Sequence, residues 1–177
     1  MKISLFCALA CLLGPTAALG QSGRNIELFG GYSYLNFDLK RTSATSLRLS
    51  ANGGEASISA ELFKHLSVEG DFSGHYSSFS SGTSMFFFMA GPKVMFSPAD
   101  QKATGFVHAL VGGSTLGSYG PSRTAFVVAV GGGVDYKVAQ HFAVRLIQAD
   151  YIRTDHSGIV VSPQNNIRLS AGAVYRF

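Results

Sequence analysis

Short stretches of alternating apolar and polar residues recur along the chain from residue 26 to its end. Clusters of Gly, Ser, Pro and Asn separate them, and alternation with a period of two is typical of β-strands joined by turns. The pattern predicts eight strands, at residues 26–37, 54–63, 66–76, 85–96, 105–114, 125–137, 142–153 and 166–177. Most hold about ten residues or more, the length of a tilted strand that spans a bilayer.

The connections between these strands alternate in length. Those at 64–65, 97–104 and 138–141 are short, whereas those at 38–53, 77–84, 115–124 and 154–165 are mostly longer and richer in Ser, Thr, Gly and Asn. Short turns on one side and long loops on the other are typical of bacterial outer-membrane barrels, whose turns face the periplasm. We therefore predict one all-β domain over residues 21–177, an eight-stranded antiparallel up-and-down transmembrane β-barrel with both termini periplasmic.

The first twenty residues are predicted to be a cleavable signal peptide. Lys2 precedes the uncharged apolar run 3–13, and Ala18-Leu19-Gly20 places small residues before a cleavage point after Gly20. An uncleaved anchor is the alternative, although so short a run is below the length of a membrane-spanning helix. A lipid on Cys11 is another alternative. Both cysteines lie in this leader, so cleavage leaves a chain without disulfides or thiol ligands.

The alternation separates two faces in each strand. In the third strand, Leu66, Val68 and Phe72 oppose Ser67, Glu69 and Asp71. Alternation of this kind fits either a soluble barrel or a membrane barrel turned inside out, and the last strand decides between them.

The last strand carries a family resemblance. Ile167, Leu169, Ala171, Ala173, Tyr175 and Phe177 share one face, and the chain stops at Phe177. This strand, together with the opening segment ELFGGYSY at 27–34, resembles the OmpA-like membrane domain and OmpX-type group of small outer-membrane barrels. The resemblance implies that Tyr175 and Phe177 belong to a signal read by the barrel-assembly machinery during insertion.

The seventh strand departs from strict alternation. Arg145, Gln148 and Asp150 cannot share one face unless an extra residue interrupts the pattern. Since an Arg facing lipid at mid-membrane costs about 2–4 kcal/mol, we predict a β-bulge at Leu146-Ile147 that returns all three side chains to the lumen.

The inward charges are predicted to form a lumen network. They are Glu27, Glu61, Glu69, Asp71, Lys93, Asp135, Arg145, Asp150, Arg168 and Arg176. Depth along neighbouring strands pairs Glu27 with Arg176, Glu69 and Asp71 with Lys93, Asp135 with Arg145, and Asp150 with Arg168. Because the lumen of eight strands is filled by side chains, we predict that these pairs plug it.

Candidate chemistry is sparse. His75 and Ser77 share a face near one rim, as a hydrolase pair would, but that face is the lumen, whereas a lipid-acting enzyme needs its nucleophile toward lipid. His108 is also inward, and His65 and His141 fall at turns. Without a ligand pair at metal spacing, no metal and no cofactor is predicted. The triplet Gly131–Gly133 lies inside a strand, where it leaves room for bulky lumen neighbours or a kink rather than cradling phosphate.

Charge adds little to this picture. Without Lys2, 13 basic residues stand against 10 acidic ones, and they are scattered, so no stripe tracks a nucleic acid. We predict a monomeric, non-enzymatic barrel with a structural, adhesive or surface-recognition role, in contact with outer-membrane lipids and with an unknown extracellular ligand at its loops. A narrow solute or ion channel is the alternative, followed by a lipid-modifying enzyme.

Overall fold

The protein is a closed barrel of eight antiparallel strands in the computed structural model. The structure describes residues 25–40, 46–77, 83–97, 102–117, 123–155 and 164–177. The strands are β1 (Ile26–Lys40), β2 (Ser46–Phe63), β3 (Leu66–Ser77), β4 (Thr83–Phe96), β5 (Ala103–Gly117), β6 (Arg123–Lys137), β7 (Phe142–Asp155) and β8 (Gln164–Arg176). Each pairs with its sequence neighbours and β1 also pairs with β8, which confirms the predicted up-and-down topology. The predicted leader at 1–20 lies outside the described residues.

The two ends of the barrel differ in their connections. The terminal end, as we call it, carries Asn25, Phe177 and the turns at 64–65, 97–102 and 138–141. The opposite end, the loop end, carries the connections 41–45, 78–82, 118–122 and 156–163, which lie outside the described residues.

The strands reach further toward the loop end than the alternation predicts. The segment 38–53 was expected to be a loop, yet β1 and β2 pair as far as Lys40 and Ser46. Polar pairs such as Asp38 with Arg48 alternate with apolar pairs such as Leu39 with Leu47, and both continue the ladder because pairing uses backbone groups, which every residue but proline supplies in full. The contrast in connection length between the two ends is therefore smaller than the sequence suggests.

The barrel buries charge and displays apolar side chains. Glu69, Lys93, Arg145 and Arg168 are buried inside it. Large apolar side chains are exposed on the outer wall of every strand, among them Tyr32, Ile58, Phe72, Phe88, Val111, Val130, Leu146 and Ile167. Such a surface is stable when lipid surrounds it. No described residue belongs to a helix long and apolar enough to cross a membrane.

A β-bulge in β7 sets the face of its charged residues, as predicted. Arg145 pairs with Asp135 and Ile147 with Val134, so Leu146 is the extra residue against β6, and the register with β8 shifts between Arg145 and Gln148. Leu146 and Ile147 are 57% and 53% exposed, whereas Arg145 is fully buried. The bulge therefore lets two consecutive apolar residues face outward while the polar residues on both sides face the lumen.

We expect deletion of Leu146 to prevent barrel formation. Without the extra residue, strict alternation places either Arg145 or Gln148 and Asp150 on the lipid-facing wall, where an Arg costs about 2–4 kcal/mol at mid-membrane. On a detergent gel, a folded barrel migrates at a different position before boiling than after it, and this shift reports the folded state. Leu146→Val is the length-matched control and should keep this shift. A deletion variant that still migrates as a folded barrel would contradict the role of the bulge.

Candidate functional site

The candidate site is the lumen, where inward side chains of all eight strands meet. Its terminal half holds mainly ionised and polar side chains, whereas its loop half holds an apolar layer together with the buried polar residues Ser114, Thr154 and Asn166. We describe it from the terminal end toward the loop end.

Three side chains link the first, sixth and last strands at the terminal rim. Arg176 donates from Nε to Glu27 Oε2 at 2.7 Å and from Nη2 to Asp135 Oδ2 at 2.8 Å. Glu27 and Arg176 are direct partners in the β1–β8 ladder, which brings these opposite charges together. The Arg176 side chain keeps 28% of its exposure and thus marks the edge of the network.

Two further cations lie one layer deeper and share Glu27. Its Oε1 is 2.7 Å from Lys93 Nζ and 3.1 Å from Arg145 Nη2. Arg145 also donates from Nε to Asp135 at 2.8 Å. Its guanidinium carbon lies 4.2 Å from the centroids of both the Phe29 and Phe106 rings. The aromatic faces attract this cation where water is excluded.

His108 bridges two carboxylates in the middle of the lumen. Its Nδ1 is 2.8 Å from Glu69 and its Nε2 is 2.8 Å from Asp150. An ionised carboxylate only accepts hydrogen bonds, so both contacts are hydrogen bonds when each ring nitrogen carries a proton. His108 in that form adds a positive charge to a network of six carboxylates, four Arg or Lys side chains and this one histidine.

Arg168 connects the largest number of acidic groups. Its Nη1 is 2.8 Å from Asp71, its Nη2 is 2.7 Å from Asp150, and its Nε is 3.3 Å from Glu55. The side chain is fully buried. Three carboxylates in a closed lumen would repel each other strongly, so this one guanidinium holds them together.

A neutral hydrogen-bonded chain follows Arg168 toward the loop end. Ser170 donates to Glu55, and the Oγ atoms of Ser170 and Ser33 are 3.0 Å apart. His75 Nε2 is 3.0 Å from Ser33 Oγ, and the His75 ring meets Phe87 edge to face. The chain thus connects the carboxylate of Glu55 through two hydroxyls to an imidazole that packs against the apolar layer.

An apolar layer fills the lumen at the loop end of the charged network. Its members continue the inward faces of their strands beyond the charged network, as Leu35 follows Ser33 and Leu110 follows His108. The layer consists of Leu35, Ala51, Phe87, Met89, Leu110, Val127, Ala129 and Ile152, all buried. The sequence pattern did not predict this layer. In β6, for example, both faces are apolar at this depth, so alternation does not distinguish the side chains that face the lumen from those that face lipid.

Two inward glycines make room for this packing. A Cβ at Gly131 would collide with Asp150 Oδ1, and one at Gly133 would lie 2.9 Å from the Phe106 ring. Asp150 and Phe106 contact His108 and Arg145 respectively. The glycine triplet therefore provides space for lumen side chains, in line with one of the two explanations that the sequence allowed.

The structure brings together nine of the ten predicted charges. Glu27 with Arg176, Asp135 with Arg145 and Asp150 with Arg168 lie as neighbouring-strand pairs. Lys93 also lies within ion-pair distance of Glu69, at 3.6 Å, as predicted, although it is nearer to Glu27. Asp71 differs from the expectation, because it contacts Arg168 across the lumen instead of Lys93.

Glu61 stands apart from the network. It is partly exposed near the terminal rim, where Asn25 donates to its carboxylate and the β2–β3 register shifts. Its inward parity is that of the lumen residues, but its position at the strand end places it beyond the deepest layers. The prediction that it belongs to the lumen charges is therefore corrected.

Three members of the hydrogen-bonded network were not among the predicted lumen charges. Glu55 shares the inward face of Ser57 and Ser59, so parity alone marks it as a lumen residue. His108 and Gln148 were recognised as inward without a role. Gln148 donates to Glu55 and Asp150 and accepts from Arg145, which links the two arginine clusters.

His75 of the candidate hydrolase pair does not face lipid. His75 is fully buried in the lumen, and the side chain of Ser77 lies outside the described residues. Among the residues that the structure describes, no group of three or more His, Asp and Glu side chains is arranged to hold a metal ion.

The fold is that of small outer-membrane barrels. Neisserial surface protein A has a TM-score of 0.60 at 16% identity, with 88% of this chain and 98% of that one covered. For OprG of Pseudomonas aeruginosa the values are 0.64, 10%, 86% and 95%. For Ail of Yersinia pestis, solved with a heparin analogue, they are 0.54, 19%, 87% and 99%. No protein-family model and no curated protein sequence matches the chain.

We expect Arg168→Met to destabilise the barrel far more than Arg176→Met. The first change leaves three buried carboxylates without their guanidinium, a loss of about 3–5 kcal/mol for a broken buried pair. The second acts at a partly exposed rim, where ion pairs contribute about 0–1 kcal/mol. Urea unfolding in lipid vesicles, followed by tyrosine fluorescence, measures both. Equal losses in the two variants would show that Arg168 is not the centre of the network.

Proposed function

We propose that this chain, which has the fold of the small eight-stranded outer-membrane barrels, is a non-enzymatic barrel of the bacterial outer membrane. In this proposal the terminal end faces the periplasm and the loop end faces outside, where the connections serve adhesion or surface recognition. The observation that carries it is the closed lumen, which leaves the outer wall and the two ends of the barrel as the surfaces available for function.

Two barriers in series support a closed lumen. The ion pairs occupy its terminal half, with each buried cation in contact with at least one carboxylate. The apolar layer around Leu35, Phe87 and Leu110 lies in the other half. An ion that crossed would have to separate the pairs and then pass the apolar layer, and apolar constrictions of this kind exclude water.

The position of His75 argues for a role without catalysis. An enzyme that acts on lipid needs its nucleophile and base on the lipid-facing wall. His75 lies inside, packed against Phe87, and its contact with Ser33 belongs to the lumen chain that ends at Glu55.

We further propose that the last strand is read during assembly. Tyr175 lies against Phe142 and Phe177, with ring centroids 4.9 and 4.8 Å apart, and Phe177 is exposed on the outside. Their cluster at the terminal end supports the role that the family resemblance implies for Tyr175 and Phe177 as a signal to the barrel-assembly machinery.

We expect the purified barrel to give negligible conductance in planar bilayers. Neither half of the lumen provides a continuous wet path, so single-channel steps should be absent at all applied potentials. The double variant Phe87→Ser, Leu110→Ser is the matched comparison, since it makes the apolar layer polar but keeps the charged network. Steady, reproducible currents from the unchanged barrel would overturn the closed lumen and favour the channel.

Recognition at the loop end is tested with a sulfated sugar. Segments 38–48, 116–124 and 153–156 contain five Lys or Arg residues and two Asp residues, a balance that favours anionic ligands. Sucrose octasulfate, the heparin analogue bound to Ail, is a suitable probe. We expect Lys40→Gln, Arg41→Gln to weaken its binding by several-fold in titration calorimetry, while Lys64→Gln at the other end leaves it unchanged. Equal binding by all three proteins would contradict a loop-end site.

A further inference from the structure

The turns at the terminal end carry a set of exposed basic side chains. Lys64 and His65 form the β2–β3 turn, Lys102 ends the β4–β5 turn, Lys137 ends β6, and His141 precedes β7. All five are exposed. The three turns follow one another around the barrel, because strand order in the closed sheet is the order in the chain. We call these five residues the basic rim.

The acidic groups near the basic rim do not balance it. The three lysines stand against two acidic side chains, Asp100 in the connection 97–102 and Glu61 near the end of β2. Glu61 lies nearby but accepts a hydrogen bond from Asn25, and among the described residues neither it nor another carboxylate is within ion-pair distance of Lys64, Lys102 or Lys137. The neighbouring Arg176 is already held by Glu27 and Asp135. The rim therefore projects net positive charge.

Two of the lysines are held close together by the backbone. The Lys137 N–H donates to the Lys102 carbonyl at 2.7 Å, next to the ladder pair Ala103 and Tyr136. Like charges on adjacent strands destabilise a sheet unless an anion lies between them. This pair is thus a place where an anionic group would relieve repulsion that the fold itself creates.

The aromatic residues beside the basic rim locate it at a membrane surface. Phe63, Phe96, Tyr136 and Phe142 are exposed on the outer wall next to the same turns. Aromatic side chains at this position mark the boundary between hydrocarbon and headgroups. Lysines placed directly beyond that boundary extend their ammonium groups to the depth of the lipid phosphates.

We infer that the basic rim binds the headgroups of anionic phospholipids in the leaflet that surrounds the terminal end. The aromatic boundary favours lipid over a soluble acidic partner, because it fixes the lysines at headgroup depth around the barrel rather than on one protruding surface. The inference concerns the terminal end and does not depend on the loop-end ligand proposed above.

The test measures which lipids contact the barrel. The protein is reconstituted into phosphatidylcholine vesicles with a trace of spin-labelled phosphatidylglycerol or spin-labelled phosphatidylcholine, and electron spin resonance gives the motionally restricted fraction of each. We expect phosphatidylglycerol to be preferred at low salt and Lys64→Gln, Lys102→Gln, Lys137→Gln to reduce the preference by about fivefold or more, the factor that a single lysine contributes at an anionic surface. High salt should weaken it, since exposed charges are screened.

Two control proteins make the result specific. The triple Lys→Arg variant keeps the charge and should keep the preference. Arg153→Gln removes an exposed charge near the loop end and should leave the contribution of the basic rim in place. Each protein must show the folded gel shift.

Equal association of both lipids with the unchanged barrel, or a preference that survives the triple Lys→Gln change, would overturn the inference. Retention on purified cell-wall sacculi that depends on the three lysines, without lipid preference, would assign the rim to a polymer and overturn it as well.

Discussion

Ionised side chains inside a lumen without bulk water must find their counter-charges there. Glu27, Glu69, Asp71, Asp135 and Asp150 are all buried, and each lies within ion-pair distance of a cationic or imidazole side chain. Breaking one such pair leaves an uncompensated charge, which is why partners must be present at every layer. The backbone of the barrel wall therefore has to leave room for these ion pairs.

The bulge in β7 and the glycines of β6 both serve these charges. The bulge adds one residue so that Arg145 and Gln148 face the same side, and it places Leu146 and Ile147 toward lipid. Gly131 leaves the volume that the Asp150 carboxylate occupies beside His108. Local departures from a regular strand are therefore the means by which a narrow barrel accommodates large polar side chains.

The two halves of the lumen have different physical roles. Ion pairs and cation–π contacts are directional, as in the hydrogen bonds from Arg145 to Asp135 and from Arg168 to Asp71 and in the stacking of Arg145 over Phe29. The apolar layer has no such directionality and contributes by excluding water, which also strengthens the electrostatic contacts next to it. A rigid, closed barrel of this kind leaves function to its ends, where the loop-end connections and the basic rim face different surroundings.

The sequence by itself determined the strand number, the inside and outside faces, the bulge in β7 and most of the charges of the lumen. Each follows from a local rule, since alternation fixes the face of a side chain and a buried charge requires an opposite one. Glu55 lies on the inward face by the same alternation, so the sequence alone could have placed it among the lumen charges. Glu61 obeyed it too, and only its position at the strand end removes it from the network.

Tertiary structure alone decided which charges meet across the barrel. Lys93 of β4 contacts Glu27 of β1, and Arg168 of β8 contacts Asp71 of β3, although these strands are not neighbours. Depth along adjacent strands cannot predict such pairs, because long side chains span the lumen in directions set by the curvature of the closed sheet. The apolar layer was hidden for a related reason. In the loop half of β6 both faces are apolar, so the difference between lumen and lipid exists only once the sheet has closed.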